Sequence, residues 1–83
     1  MLTIKILGSG CANCKRLEQI AQKAVDQLGL QAEVIKVTDP SKYADYGVMV
    51  TPGLVINDKT VSSGRVPSPG EVTSFITSAL TSS

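Results

Sequence analysis

The side chains best suited to chemistry in this chain are its two cysteines, Cys11 and Cys14. They stand three positions apart in the segment GSGCANCKRLE, and the chain contains no histidine. A helical spacing of apolar residues begins at Ala12, which predicts that the pair lies at the amino-terminal end of a helix. Unpaired backbone N–H groups and the helix dipole stabilise a thiolate there, and Lys15 and Arg16 are close in sequence. The segment therefore predicts at least one reactive sulfur.

Three interpretations of the two cysteines fit this spacing. In thiol–disulfide exchange, the outer Cys11 attacks and Cys14, one turn further into the helix, resolves the mixed disulfide. As a metal site, two thiolates suit a soft ion such as Cu(I), and the protein would then be a carrier; tetrahedral zinc would need further ligands from a second copy. In the third interpretation, both cysteines are small buried hydrophobes. A glycine-rich loop at a helix start is an exposed position, which favours the first two.

The elements that must position these sulfurs are predicted from the apolar pattern and from turn and capping residues. Apolar runs predict strands, the i, i+3, i+4 spacing predicts helices, and Gly, Pro, Asn and Asp mark the boundaries. The predicted order is βαβαββα, an α/β chain forming a single domain over residues 1–83. Its elements are a strand at 2–7, a helix from Ala12 to Gly29, a strand at 32–37, a short helix between Asp39 and Gly47, a hairpin with runs at 54–56 and from Thr60, and a helix after the cap Ser68.

Composition narrows the class of protein. Hydrophobic residues make up 42% of the 83-residue chain and aromatic residues only 4%, which predicts a core of Val, Ile, Leu and Ala. Of the few aromatics, Tyr43 and Tyr46 are expected to cover an edge of the core. The net charge of +1 gives no sign of a nucleic-acid partner. No signal or membrane segment is recognised, so we expect a soluble cytoplasmic protein, in which close cysteines are more often catalytic or metal-binding than structural.

A second motif lies at Thr51 and Pro52, where a proline begins an apolar run. With Cys11 and Cys14 after the first strand and a final helix, this motif resembles the thioredoxin fold superfamily over nearly the whole chain. The resemblance is closest to small, glutaredoxin-sized redox-active disulfide proteins of archaea and bacteria, through GSGCANCKRLE, TPGLVIN and GRVPSPGEV. It implies a minimal thioredoxin-like fold, a four-stranded mixed sheet flanked by three helices. It also implies a cis Pro52 facing the disulfide, with Thr51 and Pro52 lining the substrate groove.

The same resemblance implies a thiol–disulfide oxidoreductase that exchanges a Cys11–Cys14 dithiol with protein or small-molecule disulfides. It needs no bound cofactor and no metal, because the electrons reside on the sulfurs. Its partners would be protein disulfides and a dithiol donor, either a reductase or glutathione, with no membrane involved, and we expect a monomer. Small copper carriers with a similar loop are built βαββαβ and end on a strand, whereas this chain is predicted to end on a helix.

The sequence departs from the family pattern in two places. Thioredoxins keep a buried acid on the strand before the cysteines; this strand has Lys5, which leaves the general base for Cys14 unassigned. Where glutaredoxins hold glutathione with acidic residues, this chain has Arg65, and Glu71 is expected to cap the last helix. Arg65 and Lys15 are candidates for binding a substrate carboxylate, with plain solvation as the alternative.

Overall fold

The computed structural model describes residues 2–8 and 12–81 and contains one four-stranded sheet. The strand order is β2-β1-β3-β4; β1 and β2 are parallel, and the other two pairings are antiparallel. The predicted fold class and element order are confirmed. The elements are β1 (Leu2–Leu7), α1 (Ala12–Leu28), β2 (Ala32–Val37), two 3₁₀ turns (Pro40–Lys42 and Ala44–Tyr46), β3 (Gly53–Ile56), β4 (Lys59–Ser63) and α2 (Pro69–Thr81).

The main core lies between the sheet and the two α-helices. Alternate residues of a strand point to opposite faces, and the even-numbered residues of β1 face the helices. The helices contribute apolar residues that recur at helical spacing. The sequence pattern predicted this spacing. The buried members of this cluster are Leu2, Ile4, Ile6, Leu17, Ala21, Ala24, Val25, Leu54, Ile56, Val72 and Ile76. This packing fixes α1, and with it the cysteine-bearing turn, against the end of β1.

The opposite face of the sheet carries a smaller cluster. Leu7, Val48 and Val55 are buried there, and Tyr43 and Tyr46 pack against them. The prediction that these tyrosines cover an edge of the core is therefore confirmed. On this face the Lys5 side chain of β1 contacts the Tyr46 hydroxyl.

The predicted short helix consists of two consecutive 3₁₀ turns. The Asp39 carboxylate caps the first turn, accepting hydrogen bonds from the Ser41 backbone N–H at 3.0 Å and from its hydroxyl at 2.8 Å. Gly47 ends the second turn in the left-handed conformation, with φ of 70°. Both boundary residues match the sequence prediction, because capping and left-handed termination depend on local chemistry.

The hairpin and the last helix also follow local signals. Asn57 and Asp58 have φ of 51° and 64°, as a two-residue type I′ turn requires. The turn is joined to β1, since Asn57 donates its backbone N–H to the Thr3 carbonyl at 2.8 Å and its side-chain oxygen accepts from the Thr3 N–H at 3.0 Å. At the start of α2, Ser68 and Glu71 form the predicted reciprocal capping box.

Candidate active site

Cys14 lies in the first turn of α1 and is 5% exposed. Gly8, which extends β1 by donating to the Val37 carbonyl at 3.0 Å, passes directly beside it. A Cβ atom at position 8 would overlap the Cys14 Sγ and would lie 3.1 Å from the Cys14 Cβ. Only a residue without a side chain fits there, a role of Gly8 that the sequence pattern did not indicate. Cys11 lies outside the described residues.

Thr51 and Pro52 approach the same place from the loop before β3. The peptide bond between them is cis, Pro52 is buried and Thr51 is exposed. The Thr51 Cβ lies 3.9 Å from the point where a Cβ of Gly8 would stand, so Thr51 and Cys14 flank the Gly8 backbone together. The Pro52 carbonyl accepts a hydrogen bond from the Gly64 N–H at 3.0 Å, which ties this loop to the end of β4. The structure thus brings three of the four residues predicted from sequence into one region.

A cavity of about 220 Å³ opens beside the Cys14 side chain. Lys36 of β2 and Glu18 of α1 both line this cavity and form an ion pair, with the Lys36 Nζ 3.1 Å from a Glu18 carboxylate oxygen. Glu18 is the more enclosed partner, with 29% of its side chain exposed against 61% for Lys36. The residues lining the cavity are Ile6, Gly8, Cys14, Lys15, Glu18, Lys36 and Thr38.

Neither member of this ion pair was identified from the sequence. Glu18 follows Cys14 by four positions and so shares its helix face, a signal that was present in the sequence. Lys36 follows Val34 by two positions on β2, and Val34 packs against the main core, so Lys36 points to the side of the sheet that α1 covers. Pairing the two residues required knowledge of which stretch of α1 crosses β2.

Lys5 points away from the Cys14 sulfur. Its Nζ donates to the Tyr46 hydroxyl at 2.6 Å and to an Asp58 carboxylate oxygen at 3.0 Å, and it lies 5.0 Å from the centre of the Tyr46 ring. These contacts, first the Tyr46 hydrogen bond and then the one to Asp58, raise the pKa of Lys5. Because Lys5 and α1 lie on opposite faces of the sheet, Lys5 is not an electrostatic partner of Cys14.

Of the two basic residues considered for a substrate carboxylate, Arg65 is engaged elsewhere. Its guanidinium donates to Glu71 at 2.7 Å, and this hydrogen bond, followed by the one from the Ser68 backbone, lowers the pKa of Glu71. Lys15, by contrast, is exposed on the rim of the Cys14 cavity. Arg65 therefore reinforces the start of α2, and Lys15 remains available beside the site.

Within residues 2–8 and 12–81, no group of three or more His, Cys, Asp or Glu side chains is placed to hold a metal ion. The described structure thus adds no further ligand to the two-cysteine copper hypothesis. Over the same residues, neither α-helix has the length and apolar character needed to cross a bilayer.

Comparison with known proteins decides the family. A model for a thioredoxin domain matches residues 2–77. The chain belongs to the thioredoxin family. This thioredoxin-family chain is 42% identical over 72 residues to a thioredoxin of Methanocaldococcus jannaschii, a match that covers 87% of this chain and 83% of the relative. It is 39% identical over 72 residues to a thioredoxin of Methanothermobacter thermautotrophicus, covering 87% and 94%. The predicted resemblance is confirmed, and at family level it supports thiol–disulfide oxidoreductase activity.

Proposed function

We propose that Cys11 and Cys14 form the redox couple of a thiol–disulfide oxidoreductase that acts on disulfides of other proteins. The observation that carries this proposal is the meeting of Cys14, Gly8 and Thr51 at the start of α1. The burial of Cys14 supports the resolving role, because a buried sulfur is shielded from external disulfides yet follows Cys11 by only three positions in the sequence.

The reaction consists of two exchanges. The Cys11 thiolate attacks one sulfur of the substrate disulfide, forming a mixed disulfide and releasing the first substrate thiolate, which takes a proton from solvent. Cys14 then loses its proton and attacks the Cys11 sulfur. The Cys11–Cys14 disulfide forms, the second substrate thiolate leaves and is protonated, and two electrons have passed to the substrate. No bound cofactor takes part; a dithiol reductase, or two molecules of glutathione that leave as glutathione disulfide, restores the reduced form.

Thr51 and Pro52 are proposed to hold the substrate backbone beside the sulfurs. The surface next to them suits a protein substrate, because Met49 is 95% exposed and Val50 is 61% exposed immediately before Thr51. Large apolar side chains that stand this far into solvent are typical of interaction surfaces. An extended segment of a substrate can lie over them with its disulfide directed to Cys11.

The test is a titration of the reduced and oxidised protein in dithiothreitol buffers, read by alkylation and mass. We expect a two-electron transition of the monomer within the range of about −270 to −120 mV that the class covers. Insulin reduction should be lost in Cys11→Ser, and Cys14→Ser should accumulate a covalent mixed disulfide with insulin. Formation of linked dimers only, or tight stoichiometric Cu(I) binding without disulfide turnover, would instead support the carrier.

A further inference from the structure

The proposed second exchange requires that Cys14 lose a proton, and the structure does not offer an acceptor on β1. The described groups that line the cavity beside Cys14 come from four segments. The titratable ones are Lys15 and Glu18 from α1 and Lys36 from β2, whereas β1 contributes Ile6 and the Gly8 backbone, and the loop after β2 contributes Thr38. Among these described residues, Glu18 is the one carboxylate and the one group that can take up a proton as an anion.

The geometry of Glu18 fits a proton acceptor that works through water. Glu18 lies four residues after Cys14, so both side chains project from the same face of α1 into the same cavity. The cavity, at about 220 Å³, has room for several water molecules, each of which takes about 30 Å³ in the liquid. Most of the lining is apolar, but Lys15, Glu18, Lys36 and Thr38 supply hydrogen-bond partners for such waters.

Lys36 fixes the carboxylate in this place. The ion pair at 3.1 Å restrains the Glu18 side chain. Since 61% of the Lys36 side chain is exposed against 29% for Glu18, the ammonium faces solvent while the carboxylate is held toward the protein. A proton that reaches Glu18 can therefore leave to bulk water along the open side of the pair.

We propose that Glu18 is the general base for Cys14, receiving its proton through water in this cavity while Lys36 holds the carboxylate. The inference rests on the proposed function, because it concerns the resolving step alone. In that step the Cys14 S–H bond breaks, the proton passes through water to the Glu18 carboxylate, and the thiolate forms the bond to the Cys11 sulfur. The substrate sulfur leaves with the electron pair, and Glu18 returns its proton to solvent.

Stopped-flow reaction of the reduced protein with dithiobis(nitrobenzoate) isolates this step. The first thionitrobenzoate is released at a rate proportional to reagent concentration, as Cys11 attacks. The second is released at a rate independent of that concentration, as Cys14 resolves. In Glu18→Gln we expect the first rate to be unchanged and the second to fall about tenfold or more near pH 7, since general bases contribute at least that factor. Glu18→Asp should restore part of the rate.

The pH profile of the second release rate, and whether that rate falls or rises in Glu18→Gln, separate a general base from a merely electrostatic role. With Glu18 present, the second rate should be nearly flat between about pH 6 and pH 8; in Glu18→Gln it should rise about tenfold per pH unit, because solvent must then remove the proton. If Glu18 acted only through its charge, its removal would favour the Cys14 thiolate and accelerate the step. The matched control is Glu33→Gln, an equal charge change at an exposed position of β2 outside the cavity.

Three results would overturn the inference. A second rate in Glu18→Gln that equals or exceeds the wild-type rate would exclude Glu18 as the acceptor. Equal slowing of both releases would indicate a general structural effect. A wild-type second rate that already rises tenfold per pH unit would exclude any carboxylate base. If the wild type shows no concentration-independent release at all, the proposed function itself fails, and that outcome is recognised before any Glu18 variant is compared.

Discussion

The two faces of the sheet each carry a lysine paired with a carboxylate, but the enclosed partner differs. On the face away from the helices, the Lys5 side chain is 21% exposed and its partner Asp58 is 77% exposed. On the face toward α1, Lys36 is 61% exposed and its partner Glu18 is 29% exposed. An enclosed ammonium with two acceptors holds different segments together. An enclosed carboxylate beside a cavity can instead exchange a proton with water in that cavity. The first pair is therefore interpreted as structural and the second as chemical.

The largest effect on stability is expected where Gly8 packs against Cys14. In Gly8→Ala the added Cβ would overlap the Cys14 Sγ, and both the strand end and the helix turn are held by packing. Overfilling of this kind costs about 1–3 kcal/mol of unfolding free energy, measured by urea denaturation of the oxidised protein. Gly70→Ala is the control, because a Cβ there meets no atom of the described residues within 4 Å. Equal stability of Gly8→Ala and wild type would contradict the close approach.

The comparison of the two lysines is tested next by replacing each with methionine. Lys36→Met removes a partly exposed ion pair and should lower the unfolding free energy by less than about 1 kcal/mol. Lys5→Met should lower the unfolding free energy by more than Lys36→Met does, because Lys5 links β1 to the second 3₁₀ turn and to the hairpin turn. Urea denaturation of the two variants measures this difference. A larger loss in Lys36→Met would reverse the structural assignment of the two faces.

The Lys5 contacts also predict a dependence of stability on alkaline pH. The folded-state pKa of Lys5 is raised above its ordinary value of 10.5, first by Tyr46 and then by Asp58. The stability that Lys5 contributes is therefore fully present below that ordinary value and is lost as the pH rises through the higher folded-state pKa. Thermal melts across this range should show a steeper fall in wild type than in Lys5→Met. Parallel curves would mean that the protonated form gains nothing from folding.

Tyr46 and Tyr43 offer a sharper version of the same test. Tyr46→Phe keeps the ring but removes the hydroxyl that accepts from Lys5, and should cost about 1 kcal/mol of unfolding free energy. Tyr43→Phe removes a buried hydroxyl that has no hydrogen-bond partner among the described residues, and should be neutral or stabilising. Chemical denaturation of both variants measures the difference. Equal unfolding free energies of the two variants would contradict a stabilising contact between Lys5 and the Tyr46 hydroxyl.

The sequence was informative wherever a few neighbouring residues determine the outcome. The bounds of β1 and β2, the cap at Asp39 and the turn at Asn57 and Asp58 all depend on local apolar runs, side-chain caps or positive φ, and the structure agrees with them. The proximity of Thr51 to Cys14 was not local information. It came from the resemblance to a family, and the structure places the two residues around Gly8.

The features that escaped prediction depend on how distant segments meet. The ion pair of Glu18 and Lys36 exists because one turn of α1 crosses β2, and the partners of Lys5 lie more than 40 residues further along the chain. A periodic pattern shows which face a residue occupies, but not which residue faces it from another element. The family pattern places the acid on β1, and sequence spacing alone does not show that Glu18 shares a cavity with Cys14.

The smallest effect is expected at a third ion pair, in which neither partner is enclosed. Arg65 and Glu71 have 54% and 44% of their side chains exposed, and Glu71 also accepts from the Ser68 backbone at the start of α2. These contacts lower the folded-state pKa of Glu71, so its contribution is present above its ordinary value of 4.5 and is lost as the pH falls through the lower folded-state pKa. Wild type should therefore lose a little more stability than Glu71→Gln between pH 6 and about pH 3 in thermal melts. A steep loss confined to wild type would show that this exposed pair anchors α2, and exposure would then be a poor guide to the role of an ion pair in this protein.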